Sequence, residues 1–320
     1  MPPRRHARNG IALGAAVLAI TLLAGCYAAP AAPTVRKRGV KRTYAVPKVE
    51  IEVTPDGFSF RTPHFGLVLD PQMETVSGYE TAEKRTARGR GAMLFFESQY
   101  AFLKETFGIE ALAPARVVLA PNIQGSEHDA YTQTQTRWTG KGEYVAVATI
   151  YFGIQAFADP AVQAHEIFHA FTSFYGLPAW LAEGFAVLVE AELAGGAGWA
   201  KRGRNLKPIG FDGEGYNKIQ RWRTDASTLP FRSLETYTYS YSIVSELRDR
   251  YGDPLYERFF RLLRRELVTR GPREHTDEEI VALLSAAAGR DLTPFFRDEL
   301  QFKLGTIPKV DLPAEPASTP

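Results

Sequence analysis

The sequence predicts an α+β chain: a small N-terminal β-sheet with one long helix, followed by a mostly helical part. Three observations carry this. Apolar residues alternate, or run in short β-favouring stretches, between Gly57 and Phe152. After Asp159-Pro160 the pattern becomes mainly helical. Gly252 with Pro254, Gly271 with Pro272, and Gly289 then divide the helical part into segments of ordinary helix length. At 320 residues and 45% hydrophobic the chain has enough material for a sizeable core, which excludes a largely disordered protein.

The chain begins with a basic segment, MPPRRHARNG, and a 15-residue apolar run, IALGAAVLAITLLAG, ending at Gly25. Positive charge ahead of an apolar run too short to span a bilayer comfortably reads as an export signal over residues 1–25. The run closes on Leu23-Ala24-Gly25-Cys26, which resembles the bacterial lipobox, where small residues admit the signal peptidase and the cysteine thiol receives diacylglycerol. Cys26 is the single cysteine, so no intramolecular disulfide or thiolate metal cluster can form, and lipidation is the role its position suits. Acyl chains there would hold the body at a membrane surface, each buried methylene contributing about 0.8 kcal/mol. The expected location is the bacterial cell envelope. In a Gram-negative cell the residue after the cysteine, Tyr27, favours the outer membrane facing the periplasm over inner-membrane retention. Residues 26–55 are expected to be the lipidated cysteine and a flexible basic tether, with Arg36, Lys37, Arg38, Lys41, Arg42 and Lys48.

A domain over 56–305 follows, with a β-rich part (56–155) and a helical part (160–305). GFSFRTPHFGLVLD reads as one or two strands with a turn near Thr62-Pro63, and 79–108 as an amphipathic helix closed by Gly108. ARVVLA at 115–120 is a strand stopped by Pro121; YTQTQTRW at 131–138 alternates, and YVAVATIYF at 144–152 is strongly β-favouring. Helices are expected over 161–175, from Pro178 onward, and over 237–250, 254–267, 276–289 and 291–304. Residues 195–230 are Gly-rich and weakly patterned, a long surface excursion, and 306–320 a disordered tail. Thirty-eight basic against 36 acidic residues give a net charge of +2, and −1 without the three arginines of residues 1–25, so no nucleic-acid partner is expected.

The chemistry concentrates at His165-Glu166-Ile167-Phe168-His169. On a helix, two histidines four residues apart project from one face, the spacing that lets two imidazoles hold one metal ion, and Glu166 sits close enough to take a proton from a water at that metal. A catalytic zinc usually takes three protein ligands. In the next segment, LPAWLAEGFAVLVEAEL, Glu183 is embedded among Trp180, Leu181, Phe185 and Leu188, where a carboxylate is costly unless paired or metal-bound. Gly176 and Pro178 supply the reversal that sets the two helices side by side. Glu190 and Glu192 are competing acids, farther along and expected in solvent or against the Gly-rich stretch. A salt-bridged Glu183 and two purely structural histidines are the plain alternatives.

HEIFHA followed by LPAWLAEGFA resembles the gluzincin clan of zinc metallopeptidases, most closely the short peptidase-MA-like domains with HE-x-x-H, a short turn and a P-x-W-L-x-E-G-x-A helix. The resemblance covers about 60–305 and is strongest at 165–186. It implies a zincin-like subdomain binding one Zn2+ per chain, with His165, His169 and Glu183 as ligands and Glu166 as general base. It also implies an edge strand that aligns an extended peptide by β-addition, for which 144–152 is the matching candidate. Tyr237-Thr238-Tyr239-Ser240-Tyr241, ahead of ELRDRYG, resembles the clan's helix that opens with a tyrosine, which implies an oxyanion-stabilising role for Tyr237, with Tyr241 one turn later as substitute. The same tyrosines would serve equally as packing. One departure is Val187, where thermolysin-like relatives place an aspartate that orients a ligand histidine; no replacement is evident in the sequence.

The function expected is zinc-dependent hydrolysis of peptide bonds by a lipid-anchored extracytoplasmic enzyme, acting on a peptide or protein substrate in the envelope and tied to the membrane surface through acylated Cys26. The rival is a non-catalytic envelope binding or assembly lipoprotein with a structural or vestigial zinc site; an intact Glu166 argues against it, because a structural zinc needs no base. Hydrolysis of a non-peptide amide in the cell wall is a third possibility.

Overall fold

The computed structural model describes residues 34–37, 40–43, 48–126, 129–138, 144–193, 213–222 and 233–310. The export signal, Cys26, part of the basic tether, most of 195–230 and the end of the expected tail lie outside the described residues. Within the tether, β1 (Thr34–Lys37) and β2 (Val40–Thr43) pair antiparallel as a two-stranded ribbon.

The main sheet has six strands: β3 (Glu52–Val53), β4 (Ser59–Arg61), β5 (Phe65–Leu69), β6 (Ala115–Ala120), β7 (Ala130–Trp138) and β8 (Tyr144–Gly153), in the order β3-β4-β5-β6-β8-β7. The first three are antiparallel, β5, β6 and β8 run parallel, and β7 returns antiparallel to β8. Side-chain alternation puts Phe65, Leu67 and Leu69 on one face with Ala115, Val117 and Leu119, and then Ala148, Ile150 and Phe152. The link between parallel β5 and β6 is α1 (Ala82–Phe107), capped by Thr81 and ended by Gly108 in the left-handed conformation. Phe96 of α1 reaches Phe65 at 5.4 Å between ring centroids, and Phe171 meets Phe65 edge-on at the same distance. One sheet face is thus buried under two helices, and a single continuous core runs from the strands into the helical part.

After a short helix α2 (Ile154–Ala158), Asp159 caps α3 (Pro160–Thr172): its carboxylate accepts from Ala161 N–H at 2.8 Å, and Pro160 fits the first turn. A 3-10 turn (Ser173–Tyr175) leads to α4 (Ala179–Leu193). Gly176 turns the chain at φ +60°, and a Cβ there would lie 1.8 Å from the Arg273 carbonyl oxygen. His275 clamps the same turn, its N–H donating to Gly176 O and its ring Nδ1 to Tyr175 O, both at 2.9 Å. Gly176→Ala is therefore expected to destabilise the fold by at least about 2 kcal/mol. Gly289→Ala, at φ +67° and ψ 23° with open space around it, should lose only about 1–2 kcal/mol, and paired denaturation curves would separate the two.

The helical layer is completed by α5 (Gly213–Gln220), α6 (Ser233–Tyr251), α7 (Pro254–Arg270) and α8 (Asp277–Ala288). Gly184 lets α4 and α6 approach closely, since a Cβ would meet Ser240 O at 2.5 Å. Three expectations need correction. The Gly-rich excursion contains α5, whose Tyr216 and Ile219 are fully buried. The helix expected over 291–304 is a five-residue π-helical turn, Phe295–Glu299, after which Gln301 takes φ +55° and the chain leaves helical geometry. Its apolar period is instead used by Phe296 and Phe302, which pack on Trp180. The expected tail starts as packed chain, with Ile307 and Val310 against the core.

Candidate metal centre

Helices α3 and α4 run antiparallel through the Gly176 turn: His169, nearer the turn, faces Glu183, and His165, one turn back, faces both Glu183 and the more distant Glu190. His165 Nε2 and His169 Nε2 are 3.1 Å apart, and Glu183 Oε2 lies 3.1 Å from the first and 3.4 Å from the second. For a tetrahedral zinc with bonds of about 2.0–2.1 Å, neighbouring ligand atoms are separated by about 3.3 Å. The three donors therefore already stand at the edge lengths of a zinc tetrahedron, and nitrogen–nitrogen–carboxylate is a zinc donor set. Among the described residues no fourth His, Cys, Asp or Glu joins the group.

Electrostatics support the same fit. Burial disfavours a charged imidazole at His165, yet the carboxylates of Glu183 and Glu190 outweigh it and hold His165 well above the usual histidine range. Burial would raise Glu183, but His169 and His165 together pull it below the usual carboxylate range. Positive charge is thus favoured at the point where the three donors meet, as a bound cation would supply.

Val187 offers His165 no carboxylate, and Glu190, about one turn farther along α4, makes that contact. Its Oε1 is 2.7 Å from His165 Nδ1, and its side chain is wholly buried, so the expectation that Glu190 lies in solvent or against the Gly-rich stretch is corrected. Glu192, among the described residues, pairs with Arg248 of α6 at 2.9 Å. The periodicity signal was present, because residues 183 and 190 are two helical turns apart and share a face.

Glu166 points its carboxylate toward the sheet edge, where Thr132 Oγ1 donates to its Oε2 at 2.7 Å and also lies 3.1 Å from the Glu166 carbonyl oxygen. Thr134, on the same face of β7, hydrogen-bonds Ser173 just beyond α3. The strand alongside the HExxH helix is consequently β7, and the assignment of 144–152 as the edge is corrected: β8 is interior, paired on both sides by β6 and β7. Gly153 N–H donates to Asp129 O, and bonded pairs alternate along an antiparallel ladder. The backbone groups of Ala130, Thr132 and Thr134 therefore face away from β8, along an edge unpaired among the described residues.

Of the two candidate tyrosines, Tyr237 sits at the centre, its ring 6.1 Å from that of His165 and edge-on to Trp222 at 5.9 Å. Burial first, then the charges of Glu183, Glu166 and Glu190, push its hydroxyl far above the ordinary tyrosine range, so it stays protonated and able to donate. Tyr241 packs one turn later against Val187 and Ala191. Trp222 was missed in the sequence because it follows a stretch with no usable period; Thr132 was signalled only by its place in the alternation of 131–138.

An HExxH helix, a distal glutamate on the following helix and a buried base beside an edge strand make this the site of a zinc metallopeptidase of the gluzincin type. No protein-family model matches the chain, and no curated protein matches it.

Proposed function

We propose that the chain is a lipid-anchored, extracytoplasmic zinc peptidase that cleaves extended peptides in the bacterial envelope. The observation that carries the catalytic part is the convergence of His165 Nε2, His169 Nε2 and Glu183 Oε2 with Glu166 beside them on the same helix. Lipid anchoring and location rest on the Leu23-Ala24-Gly25-Cys26 motif and the basic, then apolar, residues before it.

His165, His169 and Glu183 would hold the zinc, which when bound supplies Lewis acidity for carbonyl polarisation and water activation. Glu166 accepts the proton of the attacking water and delivers it to the leaving amine, with Thr132 fixing one carboxylate oxygen so that the other is presented to the reacting atoms. The Tyr237 hydroxyl donates to the oxyanion that develops on the scissile carbonyl. The outward N–H and C=O groups of Thr132 and Thr134 offer an extended substrate a strand to pair with. Strand β7 carries no charged residue from Ala130 to Thr136, so it lacks the lysines with which sheet edges are ordinarily protected from pairing.

The test is incubation of the zinc-loaded protein with a mixed peptide library, read by mass spectrometry. New peptide termini that vanish on chelation and return with zinc are expected. An intact library in the presence of fully loaded, folded protein would favour the binding-lipoprotein reading. Tyr237→Phe is expected to keep zinc and lower kcat about 10–100-fold with little change in KM, since a donor to the transition-state oxyanion is typically worth that or more. Steady-state kinetics on one cleaved peptide would show it, and an unchanged kcat would remove Tyr237 from the mechanism.

A further inference from the structure

We propose that the open face of the sheet docks on an anionic membrane, with Arg61 and Arg116 receiving lipid phosphate groups on either side of Gly66. This rests on the reading of the chain as lipid-anchored and adds the orientation in which it lies. Helices α1 and α3 pack on one sheet face through Phe96 and Phe171. On the other face the strand register lines up Val68, Val118, Tyr151 and Tyr131 in one row. Arg61, Gly66, Arg116 and Thr149 form the next. All eight are half-buried or exposed, so among the described residues this face is open.

Its chemistry suits a bilayer surface. Arg61 and Arg116 are exposed, and among the described residues neither guanidinium has a hydrogen-bond or ion-pair partner. Gly66 separates them on β5, and a Cβ there would meet nothing within 4 Å. Two arginines two strand spacings apart, about 10 Å, thus flank a notch with room for a phosphate between them. A cavity of about 960 Å3 opens here, with Val53, Pro63 and Pro114 on its walls. Beside it, half-exposed valines and the stacked Tyr131–Tyr151 pair, 4.8 Å between centroids, offer the apolar bodies and polar tips that suit a membrane–water interface. Charge and connection select the occupant: the basic tether enters this sheet through Lys48, just ahead of β3, and its cations would be drawn to the same anionic surface. The arginines of α7, by contrast, are largely neutralised, Arg261 by Glu257, Arg264 by Glu110 and Arg270 by Glu266. Docked this way, the sheet lies between the bilayer and the zinc donors, and the edge of β7 stays open to peptides from the aqueous side.

The experiment uses the full acylated chain. Cys26 is its single cysteine and carries the acyl chains, so an introduced cysteine is the only free thiol. Val147, in the next row of the open face, is 38% exposed, and Val268, on α7 in the helical layer, 75%. Val147→Cys and Val268→Cys are each labelled with a fluorophore, and quenching by acrylamide is read on phosphatidylcholine vesicles and on vesicles containing phosphatidylglycerol. The label at 147 should lose most of its quenching on the anionic vesicles alone, while the label at 268 stays fully quenched. Quenching at 147 should return at about 1 M salt, where the screening length is about 3 Å, and in a chain carrying Arg61→Gln and Arg116→Gln. A chain that floats with the vesicles yet is undiminished in quenching at 147, is protected at 268 instead, or is protected equally without the two arginines would overturn the docking and leave the anchor standing. Protection at 147 that fades as the protein-to-lipid ratio is lowered would assign the face to a second copy of the chain and overturn it too. A chain that floats with neither vesicle would overturn both the docking and the anchoring.

Discussion

Glu166→Gln should retain one zinc per chain and lose peptide hydrolysis by about 10²–10⁴-fold, the usual contribution of a positioned general base. Glu166 is one residue from His165 on α3, but its carboxylate is turned to Thr132 and does not belong to the converging donor group. An amide at this position keeps the size of the side chain and can still receive the Thr132 hydroxyl through its oxygen, so the fold and the edge strand should be undisturbed. What it lacks is basicity: it can neither accept the proton of the attacking water nor return one to the leaving nitrogen. Metal content and kcat measured on the same preparation would check this. Hydrolysis at the wild-type rate with full metal loading would show that Glu166 is not the base.

Glu183→Ala has the second large effect, and it falls on the metal first. Removal of Oε2 leaves two imidazoles in a buried site, and the loss of zinc affinity should exceed the about 10–100-fold that a supporting residue controls. Activity should disappear with the metal. Because Glu183 Oε2 also lies 3.1 Å from His165 Nε2 and 3.4 Å from His169 Nε2, its removal leaves both buried imidazoles without that partner, which lowers stability as well. Glu183→Gln is therefore the companion variant, keeping volume while removing the anionic ligand. Chelator competition on both would check the assignment, and unaltered affinity in either would remove Glu183 from the ligand set.

The parts of this site that were legible in the sequence are those set by spacing within one helix. His165 and His169 must share a face if 160–172 is helical, and Glu183 stood out as a carboxylate in an apolar run. What was not legible depends on how elements pack. Glu190 looks like an acid near a helix end until the antiparallel register of α3 and α4 carries it to His165. The edge strand was misassigned for a related reason. The strongest β signal, 144–152, belongs to an interior strand paired on both sides, whereas the edge, 130–138, is polar because one of its sides is unpaired. In the fold, segments with caps were placed within a few residues: Thr81 and Gly108 delimit α1, and Thr276 with Glu279 forms the capping box that opens α8. The run at 291–304 failed because its aromatic residues satisfy a helical period while packing around Trp180 from an irregular chain.

The central claim is that three side chains on two helices hold one zinc. It is tested most directly by the metal content of the purified wild-type chain after zinc loading and exhaustive dialysis, with X-ray absorption at the zinc edge on the same sample. One zinc per chain, bound by two imidazole nitrogens and oxygen ligands with no sulfur, is the result expected. A folded, monodisperse protein that retains no zinc, or that holds it outside the His165–His169–Glu183 group, would contradict the account.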